Sequence, residues 1–194
     1  MPVKVTVDGY KVEELEGRAR ETAFQWLREG ATDHEWYDCT TDHWAERLAA
    51  YGFSDVKIYF SGFCSQGDGA CFDASVDVDA LCLHMAKERP AFSNLVRFDI
   101  LPGASIDTVN HHYSHEHTRN LDVANNWELD PERHKALHPL FIEFCEAAEE
   151  FRQGLCQEIY ADLEKEYEYL TSEEQLLETA DANEYLFDAN GRII

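Results

Sequence analysis

Basic residues are scarce in this chain. Its 194 residues include 16 Lys and Arg against 39 Asp and Glu, which gives a formal net charge of −23 at pH 7. Because such an excess of negative charge repels a phosphate backbone, the composition argues against direct binding to nucleic acid. The imbalance is strongest toward the C-terminus, where 18 acidic and 5 basic residues follow from Glu128 onward. The partner that this charge favours is a basic protein.

Long apolar runs and paired cysteines are also lacking. No stretch approaches the roughly 18 to 20 apolar residues of a membrane-spanning helix, and the first residues lack the apolar core of a signal peptide. The six cysteines are scattered with no Cys-x-x-Cys pair, so the sequence predicts neither a zinc ribbon nor a disulfide framework. We therefore expect a cytoplasmic protein with reduced thiols and no membrane partner.

The apolar content is nevertheless high enough for a folded core. Hydrophobic residues make up 44% and aromatic residues 12% of the chain, which argues against disorder. No repeat, low-complexity tract or linker divides the sequence. We therefore predict a single α+β domain over residues 1–194, with an antiparallel sheet and helices packed on one face of it.

Hydrophobic periodicity predicts the order of the elements. Two N-terminal helices, one over 12–29 and one between Asp33 and Gly52, precede a central sheet over about 54–127. Within that region we predict strands at 56–61, 72–78, 95–101, 106–117 and 121–127, and a helix at 79–88. Long helices over about 131–182 and a terminal hairpin over 184–194 complete the chain.

A glycine-rich turn with a single carboxylate is the first candidate site. Glycines on both sides of Asp68 permit positive φ and can expose consecutive amide hydrogens, the geometry of an anion-binding nest. The carboxylate could instead hold a cation or a ligand hydroxyl, and a hairpin that needs glycine only for its backbone is the alternative. The absence of Lys and Arg nearby argues against phosphate. The candidate ligand-binding residues are Ser61, Ser65, Gln66, Gly67, Asp68 and Gly69, together with Tyr113.

Histidines cluster in a second candidate segment, 110–117. If this segment is a strand, then His111, His115 and His117 share one face with Tyr113. Imidazoles two residues apart on one face can bind a metal ion together, and Glu116 could supply an outer carboxylate. A divalent metal at His111, His115 and His117 is thus the one cofactor that the sequence suggests. The alternative is a set of polar strand residues that hydrogen-bond to their neighbours.

The cysteine that follows the turn invites a comparison with nucleophilic enzymes. The string from Asp68 to Phe72 is similar to the nucleophile region of ovarian-tumour-type cysteine proteases. A nucleophilic cysteine of that kind begins a helix, whose N-terminus lowers the thiol pKa. Cys71 is followed instead by the alternating pattern of a strand. The sequence therefore identifies no catalytic residue.

Three segments resemble a widespread family of small phage and prophage proteins. They are 60–72, which contains the glycine-rich turn, 166–174 and 182–192. Some members of that family are labelled as the antitoxin of a toxin–antitoxin stability system. The resemblance implies a phage-encoded accessory protein that acts in the host cytoplasm, and it implies a Tyr-x-His element that matches Tyr113 and His115.

Two function classes remain open at this point. The first is an acidic accessory protein, antitoxin-like or active in anti-restriction or anti-defence, that inhibits a basic host nuclease, toxin or defence factor by imitating DNA. Its interaction surface would be Glu146, Glu149, Glu150 and Glu158; a solvated acidic helix face is the plainer interpretation. The second is a metal- or ligand-dependent enzyme or a small-molecule-binding protein that uses the glycine-rich turn and the histidine segment.

Overall fold

Helices and one antiparallel sheet make up the part of the protein that the computed structural model describes, residues 8–110, 112–126 and 131–194. The predicted α+β class with an antiparallel sheet is confirmed. In chain order the elements of this part are α1 (Gly17–Thr32), α2 (Asp38–Ala49), β1 (Phe53–Phe60), β2 (Ala70–Val76), α3 (Val78–Met85), α4 (Ser93–Arg97), β3 (Ala104–Thr108), β4 (Arg119–Val123), α5 (Pro131–Thr171) and α6 (Glu173–Ala182).

The register of the sheet brings two loops to the same end of the strands. The strands follow each other in the order β1, β2, β3, β4, and every neighbouring pair is antiparallel. The β1–β2 pairing ends with Phe60 opposite Ala70, next to the glycine-rich turn. Val76 at the other end of β2 pairs with Ala104 at the start of β3, so β3 runs back toward that turn. The segment that follows Thr108 therefore leaves the sheet at the same end of the strands as the turn.

The described residues fall into two compact units, which we treat separately. The central unit spans Cys39–Asp162 and contains the sheet, α2, α3, α4 and most of α5. Apolar side chains from these elements are removed from water almost completely, which is the main stabilising contribution to such a core. Its largest fully buried apolar side chains include Trp44, Phe53, Phe72, Phe92, Phe144 and Ile159.

The terminal unit combines the start and the end of the chain. Its core is a cluster that includes Phe24 and Leu27 of α1, Leu176 of α6 and Phe187. Phe187 forms antiparallel bridges to Tyr10 and to Ile193 where the terminal hairpin was predicted. Gly191 has φ +79°, and an added Cβ would lie 1.9 Å from the Ala19 carbonyl oxygen, so only glycine fits there.

Two of the predicted strands are wrong. Residues 95–101 do not form a strand, because Pro90 starts a 3₁₀ turn that leads into the short helix α4, with Phe92 and Leu95 buried at helical spacing. The strand predicted over 106–117 ends at Thr108. The amide of Val109 donates to the Thr118 carbonyl at 2.9 Å, which closes 109–118 as a loop between β3 and β4.

Other predicted boundaries shift by a few residues. Helix α1 begins at Gly17, after a 3₁₀ turn over Val12–Glu14, and continues past Gly30 to Thr32. The predicted C-terminal helices correspond to α5 and α6, and the Ser172 side chain caps α6 by accepting from the Gln175 amide at 3.3 Å. His111, a predicted metal ligand, and Trp127, the predicted end of the last strand of the sheet, lie outside the described residues.

Candidate functional site

The glycine-rich turn (61–69) and the histidine loop (109–118) lie in direct contact. Gly69 is buried, and a Cβ added to it would lie 2.8 Å from Cδ2 of His115 and 3.2 Å from its Cα. Real Cβ atoms essentially never come as close as 2.8 Å to another heavy atom. The packing of the two loops thus requires the absence of a side chain at position 69. The sequence drew attention to Gly69 for its backbone flexibility, but the packing requires it for its small size.

Hydrogen bonds within the turn fix its shape. The Asp68 carboxylate accepts from the amides of Cys64 at 3.0 Å and Ser65 at 2.7 Å. The Asp68 amide donates to the Ser65 carbonyl at 3.1 Å, and the Gly69 amide donates to Oγ of Ser61 at 3.1 Å. Asp68 and Ser61 therefore stabilise the turn itself. The amides of Asp68 and Gly69 are thus already used within the turn and are not available to an anion-binding nest.

Aromatic packing holds the opposite side of the turn. The ring of Phe63 stacks between Phe60, at a centroid distance of 5.9 Å, and Tyr160 of α5, at 5.4 Å. The Tyr160 hydroxyl donates to the Gly62 carbonyl at 3.2 Å. The turn is thus anchored to α5 as well as to the sheet.

The histidine loop places two imidazoles and a carboxylate together. Glu116–Thr118 form a single 3₁₀ turn, and the Thr118 hydroxyl donates to the His115 carbonyl at 2.7 Å. Nδ1 of His115 lies 2.9 Å from the Glu116 carboxylate, and Nε2 of His117 lies 3.9 Å from it. The two imidazole centroids are 5.2 Å apart. The histidines thus converge through a tight turn, whereas the sequence predicted convergence on one face of a strand.

A buried arginine of α5 supports this loop. Arg152 is fully buried, and its Nη2 donates to the carbonyls of Glu116 at 2.6 Å and Arg119 at 2.9 Å. Its charge is balanced by Glu149, at 2.7 Å from Nη2 and 2.8 Å from Nε. Glu149 also accepts from the Leu121 amide at 2.9 Å. The pair therefore connects α5 to the histidine loop and to the start of β4.

The pKa of Glu149 reflects this arrangement. Burial by itself would raise the pKa of the carboxyl, but the hydrogen bonds from Arg152 and from the Leu121 amide outweigh burial and lower the pKa below its usual value. Glu149 is therefore a charged, engaged group and does not belong to an exposed acidic surface.

A shallow groove of about 500 Å³ runs between the two loops. Among the described residues, no Lys, Arg, Asp or Glu lines it. Tyr113 is 63% exposed at this groove. A volume of this size suits a small-molecule ligand, for which about 300–1,000 Å³ is typical. The described lining residues are Gln66, Gly67, Val109, Asn110, Tyr113, His115, His117 and Thr118.

The predicted site residues thus divide by role. Gln66, Gly67, Tyr113, His115 and His117 line the groove. Ser61, Asp68 and Gly69 build the turn behind it, and Ser65 is exposed on the turn.

The four carboxylates predicted as an interaction surface divide as well. Glu146 and Glu150 are exposed on α5, Glu158 forms an ion pair with Arg47 at 2.9 Å, and Glu149 pairs with buried Arg152. Two of the four are therefore partnered within the protein.

Burial shapes the chemistry of several thiols. Cys71 is buried in β2, in agreement with the strand predicted there. Burial raises the pKa of Cys82 and Cys156 to about 12 and that of Cys145 to about 11, so these thiols stay protonated.

Sequence reasoning missed the residues of α5 that support the site. The histidine loop is contacted by Arg152 and Gln157, and the glycine-rich turn is contacted by Tyr160. The signal for Arg152 was present: a lone arginine at a core-facing position of an otherwise apolar helical stripe needs a buried acidic partner. Nothing in the local sequence indicates which loop it supports.

These features define an α+β protein in which a glycine-rich turn and a histidine loop form a groove at one end of the strands of a four-stranded antiparallel sheet. The chain belongs to a family described as a domain of unknown function, DUF8835, whose model matches residues 36–173. No curated protein and no solved structure matches the chain. Among the described residues, no helix has both the length and the apolar character that crossing a membrane requires.

Proposed function

We propose that this protein binds a small polar ligand in the groove between the glycine-rich turn and the histidine loop. The observation that carries this proposal is the convergence of Gln66 and Gly67 with Tyr113, His115 and His117 around one groove. The segments are more than 40 residues apart in the chain, yet Gly69 lets them meet. Support from Arg152 and Tyr160 means that the groove is formed before any ligand arrives, which lowers the entropic cost of binding.

The lining indicates an uncharged ligand with a planar ring. The exposed ring of Tyr113 offers a stacking face, and the Gln66 side chain offers one donor and one acceptor. The described lining residues include no Lys or Arg that could pair with an anionic ligand, and the net charge of −23 would repel one. A nucleobase or a nucleoside has the required chemistry, whereas its phosphorylated form does not.

Nucleoside titration tests this proposal. Adenosine, guanosine, cytidine, uridine and thymidine are added separately to ¹⁵N-labelled protein, with each 5′-monophosphate as a charged counterpart. We expect amide shifts for Gln66, Gly67, Tyr113 and His117 with at least one nucleoside, and weaker effects with the monophosphate. Tyr113→Ala should reduce the affinity by about 1–3 kcal/mol, the usual value of one base–aromatic stack. Tyr169→Ala removes a similarly exposed ring elsewhere, at 58% against 63%, and should change nothing. If no nucleoside shifts these amides at millimolar concentration, this ligand class is wrong.

A second candidate function rests on charge. We propose as the alternative that the chain is a phage-encoded accessory protein that binds a basic host factor in the host cytoplasm, as the resemblance to phage proteins implies. Exposed carboxylates on the helices favour it, among them Glu146 and Glu150 of α5 and Glu174 of α6. Glu149 cannot contribute because it is engaged with Arg152.

Salt-dependent retention separates this alternative from the first proposal. Host proteins retained on the immobilised chain are eluted with sodium chloride, and Glu146→Gln combined with Glu150→Gln should lower the salt needed, because exposed charges are screened over about 10 Å at about 0.1 M salt. Glu13→Gln combined with Glu29→Gln removes the same charge from exposed positions on another part of the chain. Equal elution of both double variants would show that the acidity of α5 serves solubility alone.

A further inference from the structure

We infer that His115, Glu116 and His117 bind a divalent transition metal at the wall of the groove. A metal at this position would take part in the proposed ligand binding, and that part of the inference rests on the proposed function. The three ligands are consecutive residues, His115 before a 3₁₀ turn and Glu116 and His117 within it, whereas the sequence suggested histidines on one face of a strand. Glu116 binds the metal directly in this site, whereas the sequence suggested that it supplies an outer carboxylate.

The geometry of the donors carries the inference. One side-chain donor atom from each of the three residues lies within 4.8 Å of the other two. In a tetrahedral zinc site with metal–ligand distances of about 2.0–2.1 Å, neighbouring donors lie about 3.3 Å apart. The two carboxylate oxygens of Glu116 face different imidazoles: Oε2 lies 2.9 Å from Nδ1 of His115, and Oε1 lies 3.9 Å from Nε2 of His117, one distance on either side of that value. Small side-chain rotations are sufficient to surround an ion.

The charge of Glu116 supplies the reason for a cation at this position. Its side chain is only 13% exposed. Among the described residues, the groups that form ion pairs with this carboxylate are the two imidazoles, which carry charge only when they are protonated. A carboxylate that is mostly buried is costly unless a cation accompanies it. The net charge of −23 also raises the local concentration of cations.

Outer contacts orient Glu116. Nε2 of Gln157 donates to the Glu116 carboxylate at 3.2 Å, and Arg152 holds the Glu116 carbonyl at 2.6 Å. Partners of this kind fix the direction of metal ligands and typically control about 10–100-fold of the affinity. His117 is 66% exposed at the groove, so a bound ion would keep an open position for water or for a ligand atom. A mixed nitrogen and oxygen donor set suits zinc, nickel or cobalt better than calcium or magnesium.

Calorimetric titration of the chelator-treated full chain with Zn²⁺, in the absence of any nucleoside, tests the inference. Because Cys39 and Cys64 are exposed and thiolates bind zinc, the titration uses a background with Cys39→Ser and Cys64→Ser. We expect one equivalent of Zn²⁺ and a Co²⁺ complex with a visible ligand-field spectrum. His117→Ala should weaken binding by more than about 100-fold, beyond the effect of an outer partner, and Gln157→Ala by about 10-fold. Since His117 is exposed, its replacement should leave the fold unchanged.

His112→Ala is the matched control, because His112 is an exposed histidine of the same loop outside the cluster. Its Zn²⁺ affinity should equal that of the parent protein. Absence of a stoichiometric site, or equal affinity in the parent, His117→Ala and Glu116→Gln proteins, would overturn the inference. The proposed function is judged separately. If nucleosides shift the amides in the presence of chelator and no zinc site is found, the groove is a ligand site and the metal inference fails. If zinc binds but no nucleoside shifts the amides, the metal inference holds and the proposed function fails.

Discussion

Arg152 is the one charged residue among those described that is buried. Its guanidinium is removed from water and touches two backbone carbonyls and a carboxylate. Replacement by methionine keeps much of the volume but leaves Glu149 as an unpaired, half-buried charge. We expect Arg152→Met to lower the free energy of unfolding by about 3–5 kcal/mol, measured by urea denaturation.

Two further variants show whether that loss comes from the buried pair. Arg152→Met combined with Glu149→Leu should recover part of the stability, because no charge is then left unpaired. Arg28→Met breaks an ion pair with Glu21 whose side chains are 42% and 72% exposed, and it should change stability little. A similar loss in Arg28→Met and Arg152→Met would contradict the special role of the buried arginine.

Glu149 gives the stability a pH dependence with a defined sign. Its folded-state pKa is lowered from 4.5, so its contribution is present above about pH 4.5 and disappears as pH falls through the folded pKa. Glu149→Gln should therefore be less stable than the parent protein at neutral pH, and the difference should shrink below pH 4.5. Denaturation across a pH series measures this. Glu146→Gln removes an exposed carboxylate of the same helix and serves as the control.

At the scale of elements, the contact between the turn and the histidine loop depends on a missing side chain. Gly69→Ala would force a Cβ against the ring and backbone of His115. We expect a loss of about 1–3 kcal/mol, as for other overpacked sites, together with shifted His115 ring signals. Gly62→Ala is the control within the same turn, because its Cβ would meet only an ordinary contact at 3.5 Å. Equal melting temperatures for Gly69→Ala and Gly62→Ala would contradict the close packing.

Local pattern predicted some elements and failed at others for identifiable reasons. The alternation on both sides of the glycine-rich turn predicted β1 and β2. In β1 more buried and more exposed residues alternate from Val56 to Phe60, whereas β2 begins with three buried residues. The histidine segment also alternates in sequence, yet its backbone closes on itself through Thr118 and is supported by Arg152, 34 or more residues away in the chain. Such a long-range partner cannot be predicted from local periodicity. Five of the residues that the sequence proposed as a site line the groove, but the loop geometry that brings them together was not predicted.

At the scale of the whole molecule, net charge opposes folding. A formal charge of −23 on a chain of this size produces mutual repulsion that is relieved on unfolding. Added sodium chloride screens that repulsion, so we expect the melting temperature to rise between about 0.01 and 1 M salt at neutral pH. Near the isoelectric point of about 4.5 the rise should vanish, because little net charge remains to be screened. A melting temperature that is independent of salt at pH 7 would show that the carboxylates are already balanced by local partners.

Both binding proposals depend on one geometric claim, that the glycine-rich turn lies against the histidine loop in the unliganded protein. A nuclear Overhauser effect between Hα of Gly69 and Hδ2 of His115 measures this contact most directly, since a Cβ at position 69 would lie 2.8 Å from Cδ2. We predict a strong cross-peak in the unliganded protein, accompanied by one between the Phe63 and Tyr160 rings, whose centroids are 5.4 Å apart. If the Gly69 to His115 cross-peak is absent while the Phe63 to Tyr160 cross-peak is present, the turn is in place but the histidine loop is not, and the proposed groove does not exist.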